Sequence, residues 1–310
     1  MQPLLSTEPL GSPYSAAACR MMRCSGALDE GHCQRVSATR EIRIPHAMRA
    51  YLLPALFIAL LPPPALALSG MAPDPTKWVI ATEHDFADGD NQSLYTKFCG
   101  VLGGATNINF SAQNVTWQDG ALVLKFEKRT NRSCTGKLGA FATGGIAVKT
   151  AGYKSLAVEM MLSGTDVRGL RPYATTWPKG GQGGCGWGAE DDFIEQSGTT
   201  PSKVWATTHT WSSACSHRTA QTWYTIPTWA DYHNYGVIRE TTVDAPPTSL
   251  RGKGCVDFYL DGVKTGGSCD LFRPYVMGAS AGIAGSASAV DQTRLPATVR
   301  IKKIRVWKKL

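Results

Sequence analysis

Residues 184–198 read GCGWGAEDDFIEQSG and place Glu190, Asp191, Asp192 and Glu195 within six positions. Phe193 and Ile194 sit among these acids, so the segment is not a plain solvated acidic loop. Asp, Glu and Gly are poor strand formers, adjacent like charges repel, and charged residues make up only 18% of the chain. Four acids gathered in such a chain mark a site. In a strand Glu190 and Asp192 point one way, while Asp191 and Phe193 point the other. Simple alternation leaves Glu195 on the wrong face; one bulged residue between Asp192 and Glu195 resets the phase. The segment therefore reads as a bulged strand carrying Glu190, Asp192 and Glu195 on one surface.

Working outward, the chain reads from about Trp78 onward as short strands and turns. Apolar alternation runs through Val115, Trp117, Leu122, Leu124 and Phe126, with an Asp119-Gly120 turn between the two halves. The last strand alternates at Val299, Ile301, Ile304 and Val306, with one offset that predicts a bulge. Gly, Thr, Ser and Trp are plentiful, and no long helical period appears after residue 70. An all-β fold is expected, without internal repeats or linkers.

The N-terminal part differs. MRAYLLPALFIALLPPPALALSG starts at Met48 with a basic residue, continues through a short apolar run and reaches Ala65-Leu66-Ala67. That is the pattern of a secretory signal peptide, and the run is too short and proline-broken to span a membrane. The expected organisation is an upstream extension of the reading frame over 1–47, a signal peptide over 48–67 and a single domain over 68–310.

Cysteine usage agrees with export. Of nine cysteines, Cys19, Cys24 and Cys33 lie upstream, which leaves an even six: Cys99, Cys134, Cys185, Cys215, Cys255 and Cys269. Cys255 and Cys269 are equidistant from Gly262 in CVDFYLDGVKTGGSC, whose Asp261-Gly262 is a hairpin turn signal. Cys185 and Cys215 are centred on residue 200, inside QSGTTPS. Cys99 and Cys134 pair by elimination, one of 15 possible connectivities for six cysteines. Residues 68–310 carry 26 Lys and Arg against 20 Asp and Glu. This excess is too diffuse for nucleic-acid binding, though it suits an anionic cell wall.

Two long carboxylates with a shorter one between them suit glycoside hydrolysis, in which one acid protonates the leaving oxygen and the other attacks or activates water. Asp192 in the middle is placed to hydrogen-bond a glutamate and hold the pair's proton affinities apart. At these residues the chain resembles glycoside hydrolase family 16, in its laminarinase-like branch. NVTWQDGALVLKFEKR, GGIAVKTAGYKSLAVEMML, RPYATTWPK, DYHNYGVIRE and FYLDGVKTG extend the likeness over most of residues 78–308.

The resemblance implies a jelly-roll β-sandwich of the concanavalin A-like lectin and glucanase type. It implies a secreted, endo-acting, retaining enzyme with Glu190 as nucleophile, Asp192 as its assistant and Glu195 as general acid/base. β-1,3- or mixed β-1,3/1,4-glucan is the first substrate expected. Agar- or carrageenan-type galactan hydrolysis, transglycosylation and non-catalytic carbohydrate binding are the other readings. Two departures from the family pattern stand out: Ala189 where glycine is usual, and Asp191 where an apolar residue is usual. A core-facing Asp191 must find partners or stay protonated. No cofactor is required by this chemistry. A structural calcium occurs in the family, but no dedicated ligand cluster is visible.

Counting across the hairpin centred near residue 200, with one residue lost to the bulge, puts His209 opposite Glu190, where it can reach the nucleophile or a sugar hydroxyl. TTHTW, ending at Trp211, resembles the family's partner strand. Trp177, Trp187, Trp205, Trp211, Trp223 and Trp229 cluster within residues 177–229. Sugar rings stack on such side chains; Trp177, Trp187 and Trp211, with His209, are the expected substrate contacts. The expected partner is a polysaccharide bound by a monomer, with no nucleic acid, no resident metal and no membrane after signal cleavage.

Other motifs carry less. GASAG at 278–282 fits a nucleophile elbow, but no histidine or convincing helix follows Ser280. His209, Cys215 and His217 have a zinc-like look, but Cys215 in an exported chain is better used in a disulfide. Asn91, Asn114 and Asn131 head glycosylation sequons.

Overall fold

The computed structural model describes residues 69–101, 108–128, 139–149, 152–164, 166–178, 189–197, 200–211, 216–241, 254–269, 277–285 and 289–310. The first strands are β1 (Trp78–Asp85), β2 (Tyr95–Lys97), β3 (Gly100–Val101), β4 (Ile108–Phe110), β5 (Val115–Gln118) and β6 (Ala121–Lys128). Next come β7 (Phe141–Thr143), β8 (Gly145–Val148), β9 (Leu156–Ser163), β10 (Leu170–Pro178), β11 (Ala189–Ser197) and β12 (Thr200–Trp211). The series ends with β13 (His217–Thr225), β14 (His233–Thr241), β15 (Gly254–Leu260), β16 (Val263–Cys269), β17 (Met277–Gly285) and β18 (Ala297–Lys309). Among the described residues there is no α-helix, and none is long and apolar enough to cross a membrane.

These strands build the two sheets of a jelly-roll sandwich. One has 11 strands, in the order β16-β15-β14-β9-β18-β6-β7-β4-β3, with β1 added to β18 and β5 to β6. The other has seven, in the order β13-β12-β11-β10-β17-β8-β2. The core lies between them. Leu122, Leu124 and Phe126 of β6, Val158 and Met160 of β9 and Ile304 and Val306 of β18 face Ala174, Phe193, Val204, Ala206, Ala281 and Ile283 of the second sheet. Burying one such side chain contributes about 1.5–3 kcal/mol, so alternating apolar positions are sufficient reason for these segments to pair as they do.

The local signals behave as their chemistry dictates. Asp119-Gly120 and Asp261-Gly262 both sit in left-handed backbone, at φ 49° and 67° and at φ 49° and 79°, as tight two-residue hairpin turns require. The second turn closes β15 on β16 and brings Cys255 opposite Cys269, where they form a disulfide. Cys99 is also disulfide-bonded, while Cys134, Cys185 and Cys215 lie outside the described residues. The offset in β18 is a register shift between Ile301 and Lys303.

Two sequence motifs resolve differently. Ser280 of GASAG is fully buried in the middle of β17, not raised on a turn. Asn114 is buried, and its amide donates to Lys125 O, the Glu127 carboxylate and Ala142 O, so this sequon serves as a structural tie.

Candidate active site

β11 lies between β10 and β12 near the middle of the seven-stranded sheet, as a strand carrying a site must if neighbours are to flank it on both sides. Its register with β12 runs Glu190 to His209, Asp191 to Thr208 and Asp192 to Thr207, then slips, resuming at Glu195 with Trp205. Against β10 the slip falls between Asp192 paired with Thr175 and Ile194 paired with Ala174, so Phe193 is stepped over on both sides. Phe193 and Ile194 are both fully buried. Two consecutive inward side chains are what a bulge produces, and they return Glu195 to the outer face with Glu190 and Asp192.

A bulge leaves a carbonyl off the ladder, and here β13 satisfies it. Tyr224 donates its hydroxyl to Phe193 O at 2.8 Å. Removing that donor strands a buried acceptor, which costs about 1–3 kcal/mol. Tyr224→Phe is therefore expected to lower stability by that amount in urea unfolding, with the slope unchanged.

On the outer face Glu195 is oriented by a chain of hydrogen bonds. Gln221 donates to Thr207 Oγ1 at 3.2 Å, and Thr207 donates to Glu195 Oε2 at 3.4 Å. Arg171 Nη1 stands 3.8 Å from Glu195 Oε1. His209 stands opposite Glu190 in register, but its Nε2 reaches Asp192 Oδ2 at 3.0 Å. The middle carboxylate is thus tied to the histidine. On the other side, His209 Nδ1 lies 2.9 Å from Nε2 of His217, with the two rings stacked.

The electrostatics follow from this crowding. Burial and the Asp192 charge, opposed by His209, push the Glu190 carboxyl up to about 7. Glu195 is also raised, by burial and Asp192, against the pull of His209 and Arg171. Such close acids titrate as a set. At neutral pH the cluster holds a proton that isolated carboxyls would have lost. Burial disfavours charge on His209, but its hydrogen bond to Asp192 and the surrounding carboxylates outweigh burial and raise its affinity for a proton. His217 is lowered by burial and by the charge of His209. A charged His209 therefore donates from both nitrogens, to Asp192 and to a neutral His217.

The walls of the site are aromatic. Trp177, two residues along β10 from Thr175, is 42% exposed, and Trp223 on β13, paired with Trp205, is 60% exposed. Lys203 lies 4.3 Å over the Trp223 ring. Trp223 was not among the expected substrate contacts; its strand alternation with Gln221 was the signal available in the sequence. Trp229 is core, buried and stacked on Tyr235. Trp187 lies outside the described residues, and Trp211 ends β12 on the strand that bears His209. The floor beside β10 is small: Gly278, Ser280 and Gly282 pair with Trp177, Thr175 and Tyr173. A side chain at Gly282 would meet the Tyr173 hydroxyl at 2.6 Å, whereas space above Gly278 is open.

Among the described residues, Asp192, Glu195 and His209 form the one grouping with metal-ligand composition, their donor atoms lying within 4.8 Å of one another. A nitrogen and two carboxylates do not make the all-oxygen cage that calcium prefers. This grouping is therefore not of the kind that holds a structural calcium.

No protein-family model matches the sequence, and no curated protein matches it either. Solved structures do. The catalytic domain of an endo-1,3-β-glucanase (laminarinase) from Thermotoga petrophila RKU-1 aligns with a TM-score of 0.58 at 16% identity, over 75% of this chain and 98% of that one. SCLam, a non-specific endo-β-1,3(4)-glucanase from glycoside hydrolase family 16, aligns at 0.60 with 15% identity, over 78% and 96%. An endo-acting O-glycanase of the human gut microbiota that initiates mucin breakdown aligns at 0.58 with 16% identity, over 80% and 94%. At such identities the likeness establishes the fold: this chain has the jelly-roll architecture of the family 16 glucanases.

Proposed function

We propose that this protein is an exported, endo-acting glycoside hydrolase that cleaves β-1,3- or mixed β-1,3/1,4-linked glucan with retention of configuration. The observation that carries the reading is the bulge in β11, which sets Glu190, Asp192 and Glu195 on one outer face between exposed tryptophans. Glu190 attacks the anomeric carbon while Glu195 gives its proton to the departing glycosidic oxygen. Glu195 then takes a proton from the water that releases the glycosyl group from Glu190. Asp192, held by His209, stands beside Glu190 and raises that carboxyl's affinity for a proton. Trp177 and Trp223 offer flat faces to sugar rings on either side of the carboxylates.

The reading is tested by following new reducing ends on laminarin, lichenan, agarose, carrageenan and mucin O-glycans, with the first-formed anomer identified by NMR. Endo-cleavage of laminarin or lichenan with a β-anomer first supports it. Binding to one of these polymers without cleavage would replace it with the carbohydrate-binding reading.

The pH dependence has a definite shape. The general acid must hold its proton and the nucleophile must lose its own, so kcat/KM is expected to be bell-shaped. Ionisation of Glu190, whose carboxyl is pushed up to about 7, sets the acid limb, so activity rises as pH passes through it. The alkaline limb is set by Glu195, held above the usual carboxylate range by burial and Asp192, as it loses the proton it must donate. An activity that climbs steadily from pH 6 to 9 contradicts this assignment.

A further inference from the structure

Asp191 stands where the motif usually carries an apolar side chain, and no step of the proposed reaction uses it. It points into the space between the sheets and is fully buried, as is Arg239 of β14 in the opposite sheet. Arg239 Nη1 lies 2.6 Å from Asp191 Oδ2, and Thr176 of β10 donates to the same oxygen at 3.2 Å. β11 is thereby bound through one carboxylate to its neighbour strand and across the sandwich. Asp191 Oδ1 and Thr208 Oγ1, which face each other across β11 and β12, have no hydrogen-bond partner among the described residues.

Packing does not account for this pair, because apolar residues of similar volume hold two sheets together at least as well as a buried ion pair. What an ion pair adds is direction: a guanidinium–carboxylate contact fixes a distance and an angle. The backbone of Asp191 lies between those of Glu190 and Asp192, whereas Glu195 lies beyond the bulge. A bulge interrupts the ladder and bends the strand, so hydrogen bonding between strands does not by itself lock residues 190–192 against residue 195. The Asp191–Arg239 contact lies on the 190–192 side, directly beneath the two carboxylates.

We infer that the buried Asp191–Arg239 pair is a positioning element that sets where Glu190 and Asp192 stand relative to Glu195. The inference rests on the glycosidase reading for its catalytic meaning and on the fold alone for its geometry.

Two variants of the full chain test it. Asp191→Leu/Arg239→Met replaces the pair with apolar side chains. Arg239→Lys keeps the charge but alters reach and direction. Both are expected to keep KM within about twofold and to lose between about tenfold and 10²-fold in kcat, the scale of a small misplacement of reacting groups. In Arg239→Lys, which keeps both charges of the pair, the Glu190 carboxyl, followed by carbon-13 NMR and assigned with Glu190→Gln, should titrate at least about half a pH unit away from its wild-type midpoint, because its distances to Asp191, Asp192, Glu195 and His209 have changed. The double variant removes the Asp191 charge that itself raises Glu190, so there kcat and KM are the readout. Wild-type kcat in either folded variant, or a wild-type Glu190 titration in Arg239→Lys, would overturn the inference and leave the pair a purely structural tie. Should the double variant fail to fold, Arg239→Lys decides alone. Should the wild type cleave none of the polymers, the hydrolase reading fails, and the Glu190 titration still decides the positioning role.

Discussion

Glu190→Gln and Glu195→Gln are each expected to reduce the release of new reducing ends by at least about 10³-fold, since general acid–base catalysis alone contributes 10²–10⁴-fold and loss of the nucleophile removes the covalent route altogether. The same variants carry a second, opposite effect on stability. The folded-state affinity of Glu190 for its proton is raised, from 4.5 to about 7. That group's stabilising contribution is complete below about pH 4.5 and is lost as pH rises through about 7, because ionisation is then harder in the native state than in the unfolded chain. Glutamine has nothing to ionise. Glu190→Gln should therefore melt above the wild type at pH 8 and level with it near pH 4. Thermal unfolding at the two pH values, beside the activity assay, separates a catalytic loss from a folding defect. A variant that loses activity and also melts below the wild type at pH 8 would place Glu190 in the framework instead of the chemistry.

Asp191→Leu made alone is expected to destabilise the protein by about 3–5 kcal/mol, the cost of leaving a buried charge without its partner. For a domain of this size that is a fall of roughly 6–20 °C in Tm. Arg239→Met should cost less in acid than at pH 8, because a stranded aspartate can take up a proton whereas a stranded guanidinium stays charged. Asp191→Leu has no such escape, and its deficit should change little with pH. The double variant should recover most of the loss, since an apolar pair needs no compensation. If the two single losses simply add in the double variant, the contact between Asp191 Oδ2 and Arg239 Nη1 contributes little coupling energy.

Much of this was legible beforehand because it depends on short-range rules. The bulge in β11 follows from the spacing of Glu190, Asp192 and Glu195 around two apolar residues, and counting across the next turn places His209 opposite Glu190. The two Asp-Gly turns, and with them the Cys255–Cys269 bridge, follow from the left-handed backbone those residues tolerate. Other features were not legible. That His209 reaches Asp192 and not its register partner depends on side-chain angles no sequence records. Trp223 and Trp229 are the same residue type six positions apart; one lines the outer face from β13, while the other, in the connection between β13 and β14, folds into the core against Tyr235.

Asp191 shows the division most clearly. Sequence alone determined that it would point inward, since alternation on a strand is a property of the local backbone, and that an inward aspartate would need partners. Which partners it has was decided only by the tertiary structure. Arg239 lies 48 residues away in the chain, on a strand of the other sheet, and nothing local to either residue encodes their meeting. The contact exists because two sheets, each assembled by its own ladder, stack with β11 over β14, and a charge buried at that depth is tolerated only where its counter-charge arrives from the opposite side.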